Sequence, residues 1–263
     1  MHELMHLGGA GLYSLAGLIV GLLVGLTGVG GGSLMTPLLI LLFGVHPVTA
    51  VGTDLLQAAS TKAVGTAVHG LNGTVEWRIT ARLACGSIPA AAVTILALSV
   101  GLHQVGASHA ISVLLGVAVI LTAVALLFRG PMLRAAAGRT GSLAPRHVAR
   151  LTVLAGVVLG VLVTITSVGA GALGVVVLAF LYPSLPTARI IAADIAHAVP
   201  LTLLAGLGHW WLGTIDWALL GSLLLGSVPG VVVGSLLATR VPDMVLRPVL
   251  AAVLLLVGGR LLG

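Results

Sequence analysis

The sequence predicts an all-α polytopic membrane protein made of two inverted-topology repeats, each a re-entrant or broken-helix hairpin plus three transmembrane helices. Three observations carry that expectation: charge is scarce, long apolar runs recur, and the second half of the chain repeats the first. Of 263 residues, 59% are hydrophobic and only 7% are Asp, Glu, Lys or Arg, against about a quarter in an ordinary soluble domain. Mean hydropathy is +1.22. A spanning helix takes about 20 apolar residues, so the chain has room for about eight to ten membrane segments.

The few charges are placed informatively. Twelve Lys and Arg against six Asp and Glu give a net charge of +6. Arg129, Arg134, Arg139, Arg146 and Arg150 crowd one stretch between apolar runs, the mark of a cytoplasmic loop rather than of a nucleic-acid surface. The expected organisation is a first inverted repeat at 1–128, a basic cytoplasmic linker at 129–149 and a second inverted repeat at 150–263. Cys85 lies in an apolar run and reads as a small packing residue. The start lacks the basic n-region of a cleaved signal, so the first apolar run is expected to be retained. His2, Glu3 and His6 read as a polar tail; no metal or cofactor is expected.

The duplication shows when the sequence is slid by 140 residues. Asp54 then falls on Asp194, Ala58 on Ala198, His69 on His209, and Gly73, Thr74 and Trp77 on Gly213, Thr214 and Trp217. Gly86-Ser87-Ile88-Pro89 meets Gly226-Ser227-Val228-Pro229. Upstream the register is 139: Thr27, Val29, Gly30 and Gly32 meet Thr166, Val168, Gly169 and Gly171, while Gly17 and Gly21 meet Gly156 and Gly160. Polar, Gly and Pro identities of this kind do not arise from apolar composition.

Each half reads in the same order. The first apolar run, 12–27, breaks at Gly28 to Ser33 and resumes only from Leu34 to Phe43; segments at 48–70, 78–100 and 109–128 follow. The second half has 150–166, a break at Ser167 to Gly171, Ala172 to Tyr182, then 187–209, 217–239 and 244–262. Ten or eleven helical residues reach about 16 Å, roughly half the hydrocarbon thickness, so the short pieces are expected to enter the membrane without crossing it. Basic residues also change sides. Arg78 and Arg82 sit at a boundary whose counterpart, Trp211 to Asp216, has none, whereas Arg240 and Arg247 lie where loop 101–108 has none. The positive-inside rule then orients the repeats oppositely, the architecture of secondary transporters with sites near the midplane.

The pattern Gly28-Val29-Gly30-Gly31-Gly32-Ser33, a half-length run, then Thr53-Asp54, resembles the sulfite exporter family of the TauE/SafE type. The second copy carries it again: Ser167-Val168-Gly169-Ala170-Gly171, Asp194, then Gly213-Thr214-Ile215-Asp216-Trp217. The resemblance spans nearly the whole chain. It implies a multi-pass permease of the prokaryotic inner membrane that moves a small sulfur-containing or carboxylate anion, sulfite and organosulfonates among them. Ser167 and Ala170 stand where the first copy has Gly28 and Gly31.

The residues suggest how an anion would be held. A helix that starts inside the membrane leaves its first N–H groups without partners and carries about half a positive charge. Gly30, Gly31, Gly32 and Ser33, with Thr166, Ser167, Gly169 and Gly171, are therefore the candidate anion ligands, against the alternative that these small residues only let helices pack closely. Asp54 and Asp194 are the acids well inside expected spans. Two readings stand for them: proton coupling, or a structural role in pairing Lys62 or accepting from neighbouring helix ends. Lys62 reads as an electrostatic or structural cation. Gln57 and His197 occupy equivalent positions one turn beyond the aspartates, where His197 could donate to an anion, relay protons or simply pack. His69 and His209, beside Trp77, Trp210, Trp211 and Trp217, read as interface anchors.

The function expected is a secondary transporter, exporting a small sulfur-containing oxyanion by alternating access. No phosphate-binding Gly-rich loop with Lys and Ser/Thr is present for ATP hydrolysis by this chain. The alternatives are an anion channel and an intramembrane aspartyl-type enzyme using Asp54 and Asp194; the second lacks any nucleophile in a motif context. Expected partners are the anion and membrane lipid, with a homodimer compatible with any small-residue helix face.

Overall fold

Without water to satisfy the backbone, apolar runs must become helices. The computed structural model describes residues 2–27, 32–71, 73–101, 107–137, 144–237 and 243–262, and among them there is no strand. The described helices are α1 (His2–Thr27), α2 (Gly32–Phe43), α3 (Pro47–Leu71), α4 (Trp77–Gly101) and α5 (Ala107–Ala137), then α6 (Pro145–Thr166), α7 (Leu173–Leu181), α8 (Thr187–Trp211), α9 (Trp217–Leu237) and α10 (Asp243–Leu262). Among the described residues, five stretches are long and apolar enough to cross a membrane: α4, His109–Ala135 of α5, α6, α8 and α9. The chain is a multi-pass integral membrane protein. Gly30 and Gly31 lie outside the described residues, as do Arg240 and the side chains of Ser33, His69 and Arg247.

Packing follows the duplication. α1 packs on α9 as α6 packs on α4; α2 on α10 as α7 on α5; α3 on α9 as α8 on α4. α3 pairs with α8, and α5 with α10. Exchanging the halves leaves this set of partnerships unchanged. Glycines make the closest approaches, and these too recur. Gly17 and Gly21 of α1 lie against the backbone of Leu223 and Ser227 in α9, while Gly156 and Gly160 of α6 lie against Leu83 and Ser87 in α4. A Cβ at Gly21 or Gly160 would meet backbone rather than a movable side chain, so these helices touch main chain to main chain.

The α3–α8 seam runs antiparallel. Gly52 lies against His209, Gly206 against Leu56, and Gly65 against Ile195. At one end Arg189 reaches across to Glu76 at 2.6 Å. At the other, the Asp216 backbone N–H donates to Thr53 Oγ1 at 3.2 Å.

Three expectations need correction. The first repeat's last helix does not stop at 128 but continues to Ala137. Arg129 and Arg134 are therefore helical, and Arg129 is 2% exposed instead of lying in a loop; an arginine ends an apolar run without ending the hydrogen-bond ladder. Cys85 is exposed on α4 rather than packed. His209 is buried, while Trp77, Trp210, Trp211 and Trp217 are each more than half exposed, as interface aromatics are.

Candidate functional site

The break in the second half is buried among the helices. α6 ends because Ser167 turns left-handed, with φ +59°, its N–H returning to the Val163 carbonyl. Gly169 and Gly171 follow at φ +123° and +119°, a region that side chains other than glycine rarely tolerate. The Gly169 carbonyl accepts from the N–H groups of Leu173 and Gly174, both at 3.2 Å, and α7 then runs for only 9 residues. That is about 14 Å at 1.5 Å per residue. Every residue from Thr166 to Ala172 is buried. Val168 and Ala172 pack with α5 and α10; Ala170 packs with α3, α4 and α8.

Asp54 and Asp194 face this break from the seam, both fully buried. Asp194 lies against the first turn of α7, where a Cβ on Gly174 would collide with Oδ1, and the Gly171 N–H faces its carboxylate. Asp54 accepts from the Thr36 hydroxyl of α2 through Oδ2. The Ser167 hydroxyl faces Asp54 as well, without closing a hydrogen bond. Lys62, 5% exposed, lies within electrostatic reach of both aspartates. Arg129 acts on Asp194 from α5. Two cations and two carboxylates thus share one low-dielectric region, where charges are costly unless balanced.

Of the expected ligands, Ser167 and Gly171 come together with Asp54, Asp194 and Lys62, the residues expected to couple protons or to act structurally. His197 lies within the field of Lys62, and its Nε2 is 2.8 Å from Ser87 Oγ of α4. Gln57, one turn from Asp54 on α3, is 1% exposed. Thr166 is occupied otherwise: its hydroxyl donates to the Leu162 carbonyl at 2.7 Å and accepts the Val168 N–H at 3.1 Å, so it closes the break. Gly169 faces the side chains of Leu159, Leu162 and Val163 rather than the aspartates. His209 is a tie between elements, with Nε2 3.1 Å from the Thr164 carbonyl and Nδ1 2.9 Å from Thr214 Oγ1.

Buried polar atoms are ordinarily bonded, yet several on the break and the α3–α8 pair are not: Asp54 Oδ1, Gln57 Oε1, Ser167 Oγ, both Asp194 carboxylate oxygens and His197 Nδ1. A polar guest would find unmet donors and acceptors here. On another face of α3 a cleft of about 350 Å³ is lined by Leu56, Ala59, Ser60, Ala63, Val199, Leu203 and Leu220; it is apolar and carries no charge. Sequence reasoning missed Thr36, Ser87 and Arg129. Ser87 belongs to the repeated Gly-Ser-x-Pro block, which signals the duplication but no ligand, and Arg129 stands among arginines that read as a loop.

The family described as sulfite exporter TauE/SafE matches residues 13–261. This chain belongs to that family. It is 40% identical over 213 residues to the probable membrane transporter protein YjnA of Bacillus subtilis (strain 168), covering 80% of this chain and 83% of the relative. It is also 42% identical over 59 residues to the probable membrane transporter protein YunE of the same organism, 22% of each chain. No solved structure matches it. Membership makes the chain a membrane transporter of the TauE/SafE type in the prokaryotic inner membrane.

Proposed function

We propose that this member of the TauE/SafE family is a secondary carrier that exports a small sulfur-containing oxyanion, such as sulfite or an organosulfonate, by alternating access. The anion binds where α6 breaks before α7, near the membrane midplane, and the halves act as inverted repeats. The observation that carries the reading is the buried break with Gly171 N–H and the start of α7 turned toward Asp194, beside Lys62 and Arg129. Backbone N–H groups at a helix start favour an anion, and two buried cations add to that preference. The antiparallel α3–α8 seam, formed by equivalent helices of the two copies, supports opposite orientation of the halves.

Charge arithmetic suggests how an anion is admitted. With both aspartates ionised, Lys62 and Arg129 cancel Asp54 and Asp194; one proton on either carboxylate leaves a single positive charge, matched to a monoanion. Proton loading and anion binding would then be linked. Asp194 stands where the anion would lie, so the empty carrier holds its own carboxylate there. For an anion that leaves without its proton, an inside-negative potential drives it outward by about 2.3 kcal/mol per charge per 100 mV, which favours export.

The test is counterflow of labelled sulfite in proteoliposomes, with sulfonates and carboxylates as competitors. A carrier gives saturable uptake stimulated by unlabelled anion on the far side. Flux that rises linearly with concentration and ignores the far side would instead indicate a channel and overturn the reading.

A further inference from the structure

The duplication places equivalent polar residues on the helices of two junctions, and their hydrogen bonding differs. At the α4–α8 junction, Ser87 Oγ and His197 Nε2 are 2.8 Å apart, both residues fully buried. The equivalent residues at the α3–α9 junction are Ser227 and Gln57, 140 positions away in each case. They are buried too, yet Ser227 Oγ and Gln57 Oε1 have no hydrogen-bond partner. Their chemistry is complementary, since a serine hydroxyl donates and a glutamine carbonyl accepts. A buried donor and acceptor left unpaired are costly, so an arrangement that lets these two meet would be favoured.

The packing shows what can hold them apart. Each serine sits on a rigid two-helix unit: Ser87 lies against Gly160 of α6, and Ser227 against Gly21 of α1. These main-chain contacts leave little room for a serine to shift alone. The partner residues lie on the other side of each junction, on α8 and α3, which pair with each other. Moving the α3–α8 pair relative to the α1–α9 and α4–α6 units would open one junction as it closes the other.

We propose that Ser87 and Ser227 are alternating positioning residues for the two candidate substrate ligands, His197 and Gln57. In the present state Ser87 holds His197 and the Gln57 carbonyl is unpaired; in the opposite-facing state His197 is released and the Gln57 carbonyl accepts from Ser227. The inference rests on the alternating-access reading above and adds the contacts that distinguish its two states. It also explains why a hydroxyl recurs at both copies of the Gly-Ser-x-Pro block.

The experiment is distance measurement between spin labels, in a Cys85→Ser background, with one pair at exposed Val93 and Leu203 across α4–α8 and another at Ser60 and Leu225 across α3–α9. Two populations are expected. Ser87→Ala should shift their ratio toward the form with α4–α8 separated, and Ser227→Ala toward the present form, each by about three- to ten-fold, the equilibrium effect of one hydrogen bond. His197→Gln makes the two junctions alike and should bring the populations closer to equal, which gives a readout even where an alanine variant fails to fold. Shifts in the same direction for both serines, or an unshifted ratio in folded variants including His197→Gln, overturn the proposal. Sulfite counterflow on the same samples separates the two ideas. Opposed shifts without sulfite exchange would leave the positioning pair standing and remove the proposed substrate; exchange without shifts would do the reverse.

Discussion

Glycine does two different jobs in this protein, and the difference separates what builds the bundle from what works in it. Along α1–α9 and α4–α6, Gly17, Gly21, Gly156 and Gly160 are ordinary helical residues that let one backbone touch another. At the break, Gly169 and Gly171 take positive φ and end one helix so that another can start within the protein. The first set is a packing surface, the second a backbone shape. Small residues alone do not tell them apart; the short helix that follows the break does.

The largest expected effect comes from attacking the packing set. Gly160→Leu drives a side chain into the Ser87 backbone and should cost more than about 3 kcal/mol, the upper range for overpacking. Yield of monodisperse protein and its thermal midpoint check this, and Gly21→Leu should behave alike because it is the same contact in the other copy. Gly171→Ala sharpens the contrast. It places a side chain at φ +119°, a strain of about 1–3 kcal/mol, and disturbs the N–H that faces Asp194. Protein should still be recovered, with counterflow reduced far more than stability. Equal loss of both would erase the distinction between the two glycine sets.

Asp194→Asn tests the charge balance at the break. If a proton on this carboxylate offsets the anion, the variant keeps one net positive charge wherever Asp54 stays ionised. The wild type is expected to exchange sulfite faster toward acid pH, and the variant to lose that rise while exchange itself persists. A wild-type pH profile in the variant would assign coupling elsewhere. The smallest effect is expected for Ser167→Gly. Relief of the left-handed serine should leave stability unchanged or raise it by about 1 kcal/mol, yet the loss of the hydroxyl facing Asp54 should slow transport. Faster transport in a stabilised variant would make Ser167 a mere strained corner.

Helix positions were legible because apolar run length sets them. The α3, α4, α6 and α8 spans match the runs to within a few residues. The break was legible from the half-length run beyond it. Facing was not. In lipid both the inward and outward sides of a helix are apolar, so periodicity does not say that Leu223 is buried and Leu225 is 76% exposed, and the same blindness misplaced Cys85. Partners across helices were also hidden. Ser87 and His197 are 110 residues apart in sequence, and nothing local in either stretch names the other. The aspartates were found by their cost in lipid. Thr36, which donates to Asp54, looked like one more small residue in an apolar run.

The most direct test of the account is equilibrium binding of sulfite to purified wild type, Asp194→Asn and Lys62→Gln, read by calorimetry. If the anion takes the place of the Asp194 carboxylate beside Lys62, removing that carboxylate's charge should tighten binding by about ten-fold or more, in line with the coupling of close buried charges. Removing the lysine should weaken it by a similar factor. Equal affinities in all three proteins, each still folded, would contradict an anion site at the break.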